Sequence, residues 1–376
     1  MRVAIIGSTA ETLLGFRSGL IRDLVSQGYE VYAFASDFHD IAVMNKISLL
    51  GAVPVPYTLS RSGLNPLKDL FNTVKLASLL RKKRIDIVFS YFAKPVVFGI
   101  LAAVMAGVKR RIGMLEGLGY VFTDRPEGLS VRRRFLKFVQ VFLYRIAFLF
   151  AEKIIFLNQD DFNDLITVYG IKVKQICILG GIGLDLFSYP YTPPSQNPVS
   201  FIFVGRMLAE KGVHEYVAAA KIVKAVYPKA HFVMLGGLDK NNPGGITESR
   251  LKDLMASGTI EYPGHVSNVV EWVARSSVFV LPSYREGLPR STQEAMAIGR
   301  AVITTDVPGC RETVTQGVNG FMVPPWSPDE LAEKMIYFIE NPEEILRMGL
   351  ESYQIAREKF DEKKVNHKLI SLIKEP

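Results

Sequence analysis

The chain has few of the residues that staple a fold or ligate a metal. Among its 376 residues there are two cysteines, Cys177 and Cys310, and five histidines. The two thiols lie in unrelated contexts without metal-ligand spacing, which argues against a disulfide framework or zinc site and suits a reducing cytosolic compartment. No apolar run reaches the roughly 18 residues of a membrane-crossing helix. The longest contender, residues 96–108, reads as a buried helix. The N-terminus runs straight into a strand-like segment, Val3-Ala-Ile-Ile6, with no signal-peptide layout. The turn that follows, Gly7-Ser-Thr-Ala-Glu-Thr-Leu-Leu-Gly15, lacks the Gly-x-Gly-x-x-Gly pattern, which counts against a nicotinamide-dependent dehydrogenase. Repeats and low-complexity tracts are also missing.

What is present is an ordered, globular composition, 48% apolar and 22% charged, with a length that suits two domains. Apolar runs at 2–6, 30–35, 53–57, 86–90, 110–114 and 153–157 alternate with helical patterns at 15–27, 66–83 and 95–106. That is the rhythm of a doubly wound parallel sheet. A proline-rich stretch, Tyr189-Pro-Tyr-Thr-Pro-Pro-Ser-Gln-Asn-Pro198, interrupts it. The rhythm then restarts with strands expected at 200–204, 231–235, 278–281, 301–304 and 321–323, and closing helices at 328–340 and 343–374. The expected fold class is therefore α/β, two Rossmann-like domains facing across a ligand-binding cleft. The domains are placed at 1–188 and 200–355, with a linker at 189–199 and a final helical segment at 356–376.

The net charge is +8, concentrated in Arg81-Lys-Lys-Arg84 and Arg132-Arg-Arg-Phe-Leu-Lys137. No nucleic-acid-binding signature accompanies it. Residues 131–151 pair a basic start with a run rich in Phe and Leu, the composition of a helix lying on an anionic membrane surface. A core helix with a charged, solvated end is the alternative. Arg132, Arg133, Arg134 and Lys137 suit anionic lipid headgroups or a ligand's diphosphate.

Two segments carry chemistry. In Pro282-Ser-Tyr-Arg-Glu-Gly-Leu-Pro-Arg-Ser-Thr-Gln-Glu-Ala295, a strand-like run passes through a tight turn into a helix start. Such a turn presents free backbone N–H groups at the positive end of a helix dipole, an anion site. Gly287 permits close backbone approach and Pro289 suits a first helical turn, with Leu288 between them. Glu286 and Glu294 suit hydroxyl pairs, since a carboxylate accepts several hydrogen bonds. Phosphate plus polyol indicates a sugar nucleotide. In Phe201-Ile-Phe-Val-Gly-Arg-Met-Leu-Ala-Glu-Lys-Gly212, a buried strand leads into a loop with Gly205, Arg206 and Lys211. A guanidinium fork and a compact ammonium there can clamp a diphosphate.

The Gly-Arg…Glu-Lys-Gly segment and the Glu-x7-Glu motif resemble the donor site of retaining glycosyltransferases of family 4, enzymes of the GT-B fold. Ser60-Arg-Ser-Gly-Leu-Asn-Pro66, Phe98-Gly-Ile-Leu-Ala-Ala103 and Glu116-Gly-Leu-Gly119 further resemble enzymes that extend lipid-linked oligosaccharides. The resemblance implies transfer of N-acetylhexosamine, with N-acetylgalactosamine in α-1,3 linkage as the first choice. The donor would be a UDP-sugar and the acceptor a sugar on undecaprenyl diphosphate. It places the protein on the inner face of a bacterial cytoplasmic membrane, in O-antigen or related surface-polysaccharide assembly. It also implies that the closing helix returns to the N-terminal domain.

By the same resemblance Glu294 binds the nucleotide ribose, Glu286 faces the donor sugar, and His265 lies near the base. Gly7 would admit a phosphate to the N-terminal domain. The chain has no Asp-x-Asp triplet, so Arg206, Lys211 and the amides near Gly287 are expected to carry the leaving diphosphate without a metal. Many relatives have a histidine where this chain reads Ser90-Tyr-Phe-Ala-Lys-Pro95. Lys94 could bind phosphate or sugar there, or merely cap the sheet. Glu116 is a candidate contact for acceptor or donor, and Arg290 for phosphate. His39, His214, His231 and His367 read as structural. The rivals are a transferase using another UDP-hexose donor, a UDP-sugar epimerase of the same fold and a non-catalytic scaffold.

Overall fold

A computed structural model describes the chain except for residues 60–65, 240, 241, 243, 375 and 376; the Ser60–Pro66 motif therefore falls largely outside the described residues. The chain forms two compact units, one of 1–121, 130–183 and 362–376, the other of 122–129 and 184–361.

The first unit is built on β1 (Arg2–Ile6), α1 (Ala10–Phe16), α2 (Ser18–Ser26), β2 (Glu30–Ala35), α3 (Ile41–Leu49), β3 (Val53–Pro56), α4 (Pro66–Lys82), β4 (Ile87–Tyr91), α5 (Ala93–Ala106), β5 (Arg110–Leu115), α6 (Val131–Phe148), β6 (Lys153–Phe156), α7 (Gln159–Phe162) and β7 (Gln175–Ile178). The strands form one sheet in the order β3-β2-β1-β4-β5-β6-β7. All neighbours are parallel, Val3 pairing with Val31 on one side and Ile87 on the other. A parallel sheet is covered on both faces, so its central strands are continuous apolar runs; Val3, Ala4, Ile5 and Ile6 are wholly buried. Strand order reverses between β1 and β4, which opens a ligand crevice at their carboxyl ends in sheets of this kind.

The second unit contains β8 (Ser200–Val204), α8 (Val213–Val226), β9 (His231–Leu235), α9 (Glu248–Met255), β10 (Glu261–Gly264), α10 (Val269–Arg275), β11 (Val278–Leu281), α11 (Arg290–Ile298), β12 (Ala301–Thr305), β13 (Gly320–Val323), α12 (Pro328–Glu340) and α13 (Pro342–Lys359). Its six parallel strands run β10-β9-β8-β11-β12-β13, with the reversal between β8 and β11. The last helix, α14 (Glu362–Lys374), belongs to the first unit and packs on α2. There Asn366 donates to Asp23 at 2.9 Å and the Lys153 ammonium donates to the Leu372 carbonyl at 2.9 Å.

Several elements depart from the sequence reading. The helix expected over 15–27 is two helices that break at Arg17, a residue 2% exposed whose guanidinium is drawn inward to Glu116. The helix expected over 343–374 also divides, because the Leu184 N–H takes the Phe360 carbonyl at 2.7 Å and Leu184 bridges Asp361. Strands β7 and β10 were not anticipated. Both are short edge strands, β7 only partly buried despite its Ile176-Cys-Ile178 run and β10 carrying Pro263. The units change at 183/184 and 361/362, against expected boundaries at 188 and 355.

Candidate active site

In the second unit the loops after β8 and β11 meet at the strand-order reversal. Gly205 leaves β8 with its N–H on the Leu235 carbonyl at 3.0 Å. Its own carbonyl lies so close to Gly236 that a Cβ there would stand 1.8 Å away. Gly212, at φ +76°, turns the chain into α8; a Cβ would stand 2.0 Å from the Pro282 carbonyl oxygen. Only glycine admits both the left-handed backbone and this approach. The β8 loop is thus seated directly on the end of β11.

That seating brings Lys211 to Glu286. The Lys211 ammonium donates to Glu286 Oε1, which also accepts from the Ser283 hydroxyl at 2.7 Å. The Glu286 N–H is held by the Pro308 carbonyl at 3.0 Å. An ammonium has three donors, so Lys211 can keep Glu286 while holding a phosphate oxygen. Both Glu286 side-chain contacts fall on Oε1, leaving Oε2 for a hydroxyl. Gly287, Leu288 and Pro289 are buried beneath the turn. Helix α11 then begins with no side chain capping its first turn, so its N-terminal amides and dipole suit an anion.

Glu294, one turn on, accepts from the Tyr189 hydroxyl at 2.8 Å and from Arg290 Nε at 2.9 Å. Burial, with the Glu294 charge beside it, pushes the Tyr189 phenol up to about 12. Arg290 is thereby engaged with Glu294, which the sequence did not foresee. Arg206 stands apart, half exposed and paired with Asp239 at 2.6 Å. His265 is exposed just after β10, its Cβ 3.7 Å from where a Cβ on Gly237 would lie. Among the described residues no group of three or more His, Cys, Asp or Glu side chains is arranged to hold a metal ion.

In the first unit the candidates are engaged more internally. A Cβ on Gly7 would fall 2.2 Å from the Tyr91 hydroxyl, so this glycine makes room for a buried tyrosine. Burial pushes the Tyr91 phenol up to about 12. Arg17 stacks on the Tyr91 ring at 4.6 Å and forms a buried ion pair with Glu116, which directs that carboxylate inward. Lys94 faces the buried Asp69 carboxylate at 3.1 Å.

Along α6, Phe135, Phe138 and Phe142 are 62%, 67% and 51% exposed, with Arg132 and Arg134 exposed beside them. Arg133 corrects the sequence reading. It is buried, donates to the Tyr120 carbonyl at 2.7 Å and stacks on that ring, because one face of α6 must pack inward. Lys137 is half buried, 5.9 Å from the Tyr169 ring. Helix α4 exposes a second apolar row, Leu67, Leu70, Phe71 and Val74. That row went unremarked, although its i, i+3, i+4, i+7 spacing was the available signal. Also missed were Arg17, Tyr189, and a group around Arg125, Glu210 and Arg285, whose partners lie far apart in sequence and leave no local trace.

Two Rossmann-like units, each built on a parallel sheet, one of them carrying an anion-suited turn flanked by carboxylates and a lysine, are the architecture of a transferase of the GT-B fold. Comparison with known proteins gives the family. A model described as Glycosyltransferase Family 4 matches residues 19–184, and one described as Glycosyl transferases group 1 matches residues 192–355. With a match on each half, the protein belongs to the family 4 glycosyltransferases and is an enzyme of that class.

It is 29% identical to the N,N'-diacetylbacillosaminyl-diphospho-undecaprenol alpha-1,3-N-acetylgalactosaminyltransferase of Campylobacter jejuni, over 99% of this chain and 98% of the relative. It is 24% identical to the Escherichia coli UDP-Gal:alpha-D-GlcNAc-diphosphoundecaprenol alpha-1,3-galactosyltransferase, over 71% of this chain and 69% of that one. Among solved structures, Anabaena HepE in complex with UDP and glucose shares the fold, with a TM-score of 0.76 at 18% identity and 99% coverage of both chains.

Proposed function

We propose that this enzyme moves an N-acetylhexosamine, N-acetylgalactosamine first, from a UDP-sugar to a sugar carried on undecaprenyl diphosphate, forming an α-1,3 linkage in surface-polysaccharide assembly. The likeness to the Campylobacter jejuni enzyme along the whole chain supports the donor, the acceptor and the linkage. The observation that carries the reading is the meeting of Lys211 and Glu286 beside the uncapped start of α11.

In this reading Lys211, Arg206 and the α11 amides hold the diphosphate. They stabilise the charge that develops as the anomeric C–O bond breaks. Glu286 Oε2 accepts from a donor-sugar hydroxyl, and Glu294 from the ribose. The leaving phosphate takes the acceptor hydroxyl's proton on the same face, so configuration is retained and no strong protein base is needed. No metal is required, because fixed cations and amides supply what a metal would.

The acceptor is lipid-linked, and we place the enzyme on the inner face of the cytoplasmic membrane. The exposed phenylalanines of α6 support this, as does the α4 row with Lys68 and Lys75 exposed beside it. Helix α6 contains no acidic residue, which favours anionic headgroups. No described helix is long and apolar enough to cross a membrane, so contact would be peripheral.

The test is a panel of UDP-sugars incubated with the purified protein, with and without an undecaprenyl-diphosphate-linked hexosamine, in EDTA. UDP release that depends on acceptor, with a product heavier by one N-acetylhexosamine, is expected. Interconversion of UDP-sugars without acceptor would replace this reading with the epimerase.

A further inference from the structure

Between β5 and α6 the chain crosses for eight residues, Phe122–Leu129, into the second unit. The crossing is well anchored, with Phe122 and Thr123 buried at its start. A turn follows at Arg125-Pro-Glu-Gly128, closed by the Gly128 N–H on the Arg125 carbonyl at 3.0 Å. Proline second and glycine fourth is a sequence suited to such a turn.

Two contacts give this segment a chemical meaning. Arg125 pairs with Glu210 at 3.2 Å, both side chains largely sheltered. Glu210 directly precedes Lys211. The Phe122 carbonyl accepts from Arg285 at 3.3 Å, and Arg285 directly precedes Glu286. The two loops are tied to each other at the same place: the Tyr284 N–H donates to the Glu210 carbonyl at 2.9 Å, and the Tyr284 hydroxyl donates to Glu215 at 2.8 Å. The backbone neighbours of both clamp residues are therefore fixed by one segment drawn from the N-terminal half of the chain.

We infer that Phe122–Leu129 is a positioning strap for the donor clamp, in which Arg125, acting through Glu210, sets where Lys211 presents its charge to a nucleoside diphosphate. The inference rests on the donor-site reading above and adds a residue outside both sequence motifs. Arg125 touches no reacting atom. It acts by holding the Ala209–Lys211 turn against the end of β11, so that the Lys211 ammonium and Glu286 carboxylate stand at a fixed spacing before substrate arrives. Catalytic groups lose efficiency when displaced by even about 1 Å, so a loosened turn should weaken the grip on the diphosphate.

The experiment compares wild type with Arg125→Ala, Arg125→Lys, Glu210→Gln and the Arg125→Ala/Glu210→Gln double variant. The full chain is read for UDP affinity by calorimetry, for kcat and KM of the UDP-sugar at saturating acceptor, for KM of the acceptor, and for the unfolding midpoint. Arg125→Ala and Glu210→Gln should each weaken UDP binding and raise the UDP-sugar KM about tenfold. The acceptor KM should stay unchanged. The double variant should be no worse than either single one, and Arg125→Lys should recover part of the loss.

Wild-type UDP affinity in Arg125→Ala would overturn the strap. So would single effects that multiply in the double variant, or losses that track only the folded fraction. If Arg125→Ala does not fold, Arg125→Lys and Glu210→Gln read the same coupling. UDP titration needs no acceptor, which separates the two failures. A chain that binds UDP through Arg125 yet transfers nothing would defeat the transferase assignment alone. One that transfers normally with indifferent Arg125 variants would defeat the strap alone.

Discussion

Lys211 and Glu286 are 75 residues apart in the chain and joined by a hydrogen bond in the fold. Each was legible as a candidate because turn chemistry is local: glycine and proline mark where a backbone can approach a ligand. Their pairing was not legible, since nothing in either segment encodes the other. The same holds for Glu116 and Lys94, whose partners Arg17 and Asp69 were invisible in sequence. With its ammonium serving both Glu286 and the diphosphate, Lys211→Ala should reduce UDP affinity and turnover together, each by about tenfold or more; calorimetry and initial rates check this. Cys310 gives an independent residue-scale test. It is wholly buried, and desolvation, with the Glu286 charge adding to it, pushes its thiol up to about 12. A buried thiol held protonated is unreactive. Native protein at pH 8 should therefore show Cys310 unmodified by iodoacetamide in peptide mass spectra, with labelling there only after denaturation.

At the scale of elements, the central strands and the edge strands β3 and β13 were readable, while the edge strands β7 and β10 were not. Burial on both faces writes β1, β4, β8 and β11 as apolar runs, whereas β7 and β10 need only backbone pairing along one side. Helix α6 was readable as amphipathic, but not which of its arginines turned inward. Because Phe138 and Phe142 are exposed, replacing both by Glu should leave the unfolding midpoint nearly unchanged. Binding to phosphatidylglycerol vesicles should fall by about tenfold or more, since each buried aromatic contributes on the order of 1.5–3 kcal/mol. Retained flotation with vesicles would remove the membrane assignment from α6. The β8-to-α8 turn makes a stability prediction. Gly212→Ala combines a left-handed φ with a Cβ 2.0 Å from the Pro282 carbonyl oxygen. It should cost about 1–3 kcal/mol or more in urea denaturation, with UDP binding weakened as the β8 loop is pushed off β11.

For the whole molecule, the alternation of strands and helices with a proline-rich interruption was enough to anticipate two parallel α/β units. The order of strands was not, and that order decides where ligands bind: the reversal between β8 and β11 puts the loops carrying Lys211 and Glu286 together at the carboxyl end of the sheet's central strands. Nor did the sequence reveal that Phe122–Leu129 packs with the second unit, because such an exchange leaves no periodicity to read. The central claim is that the Lys211–Glu286 pair is where the donor reacts. The most direct test is turnover of UDP-N-acetylgalactosamine onto the lipid-linked acceptor by Glu286→Gln, alongside its UDP affinity. With Glu286 acting on the donor sugar, kcat should drop by about a hundredfold while UDP binds nearly as tightly as to the wild type. Undiminished turnover in that variant would contradict the account.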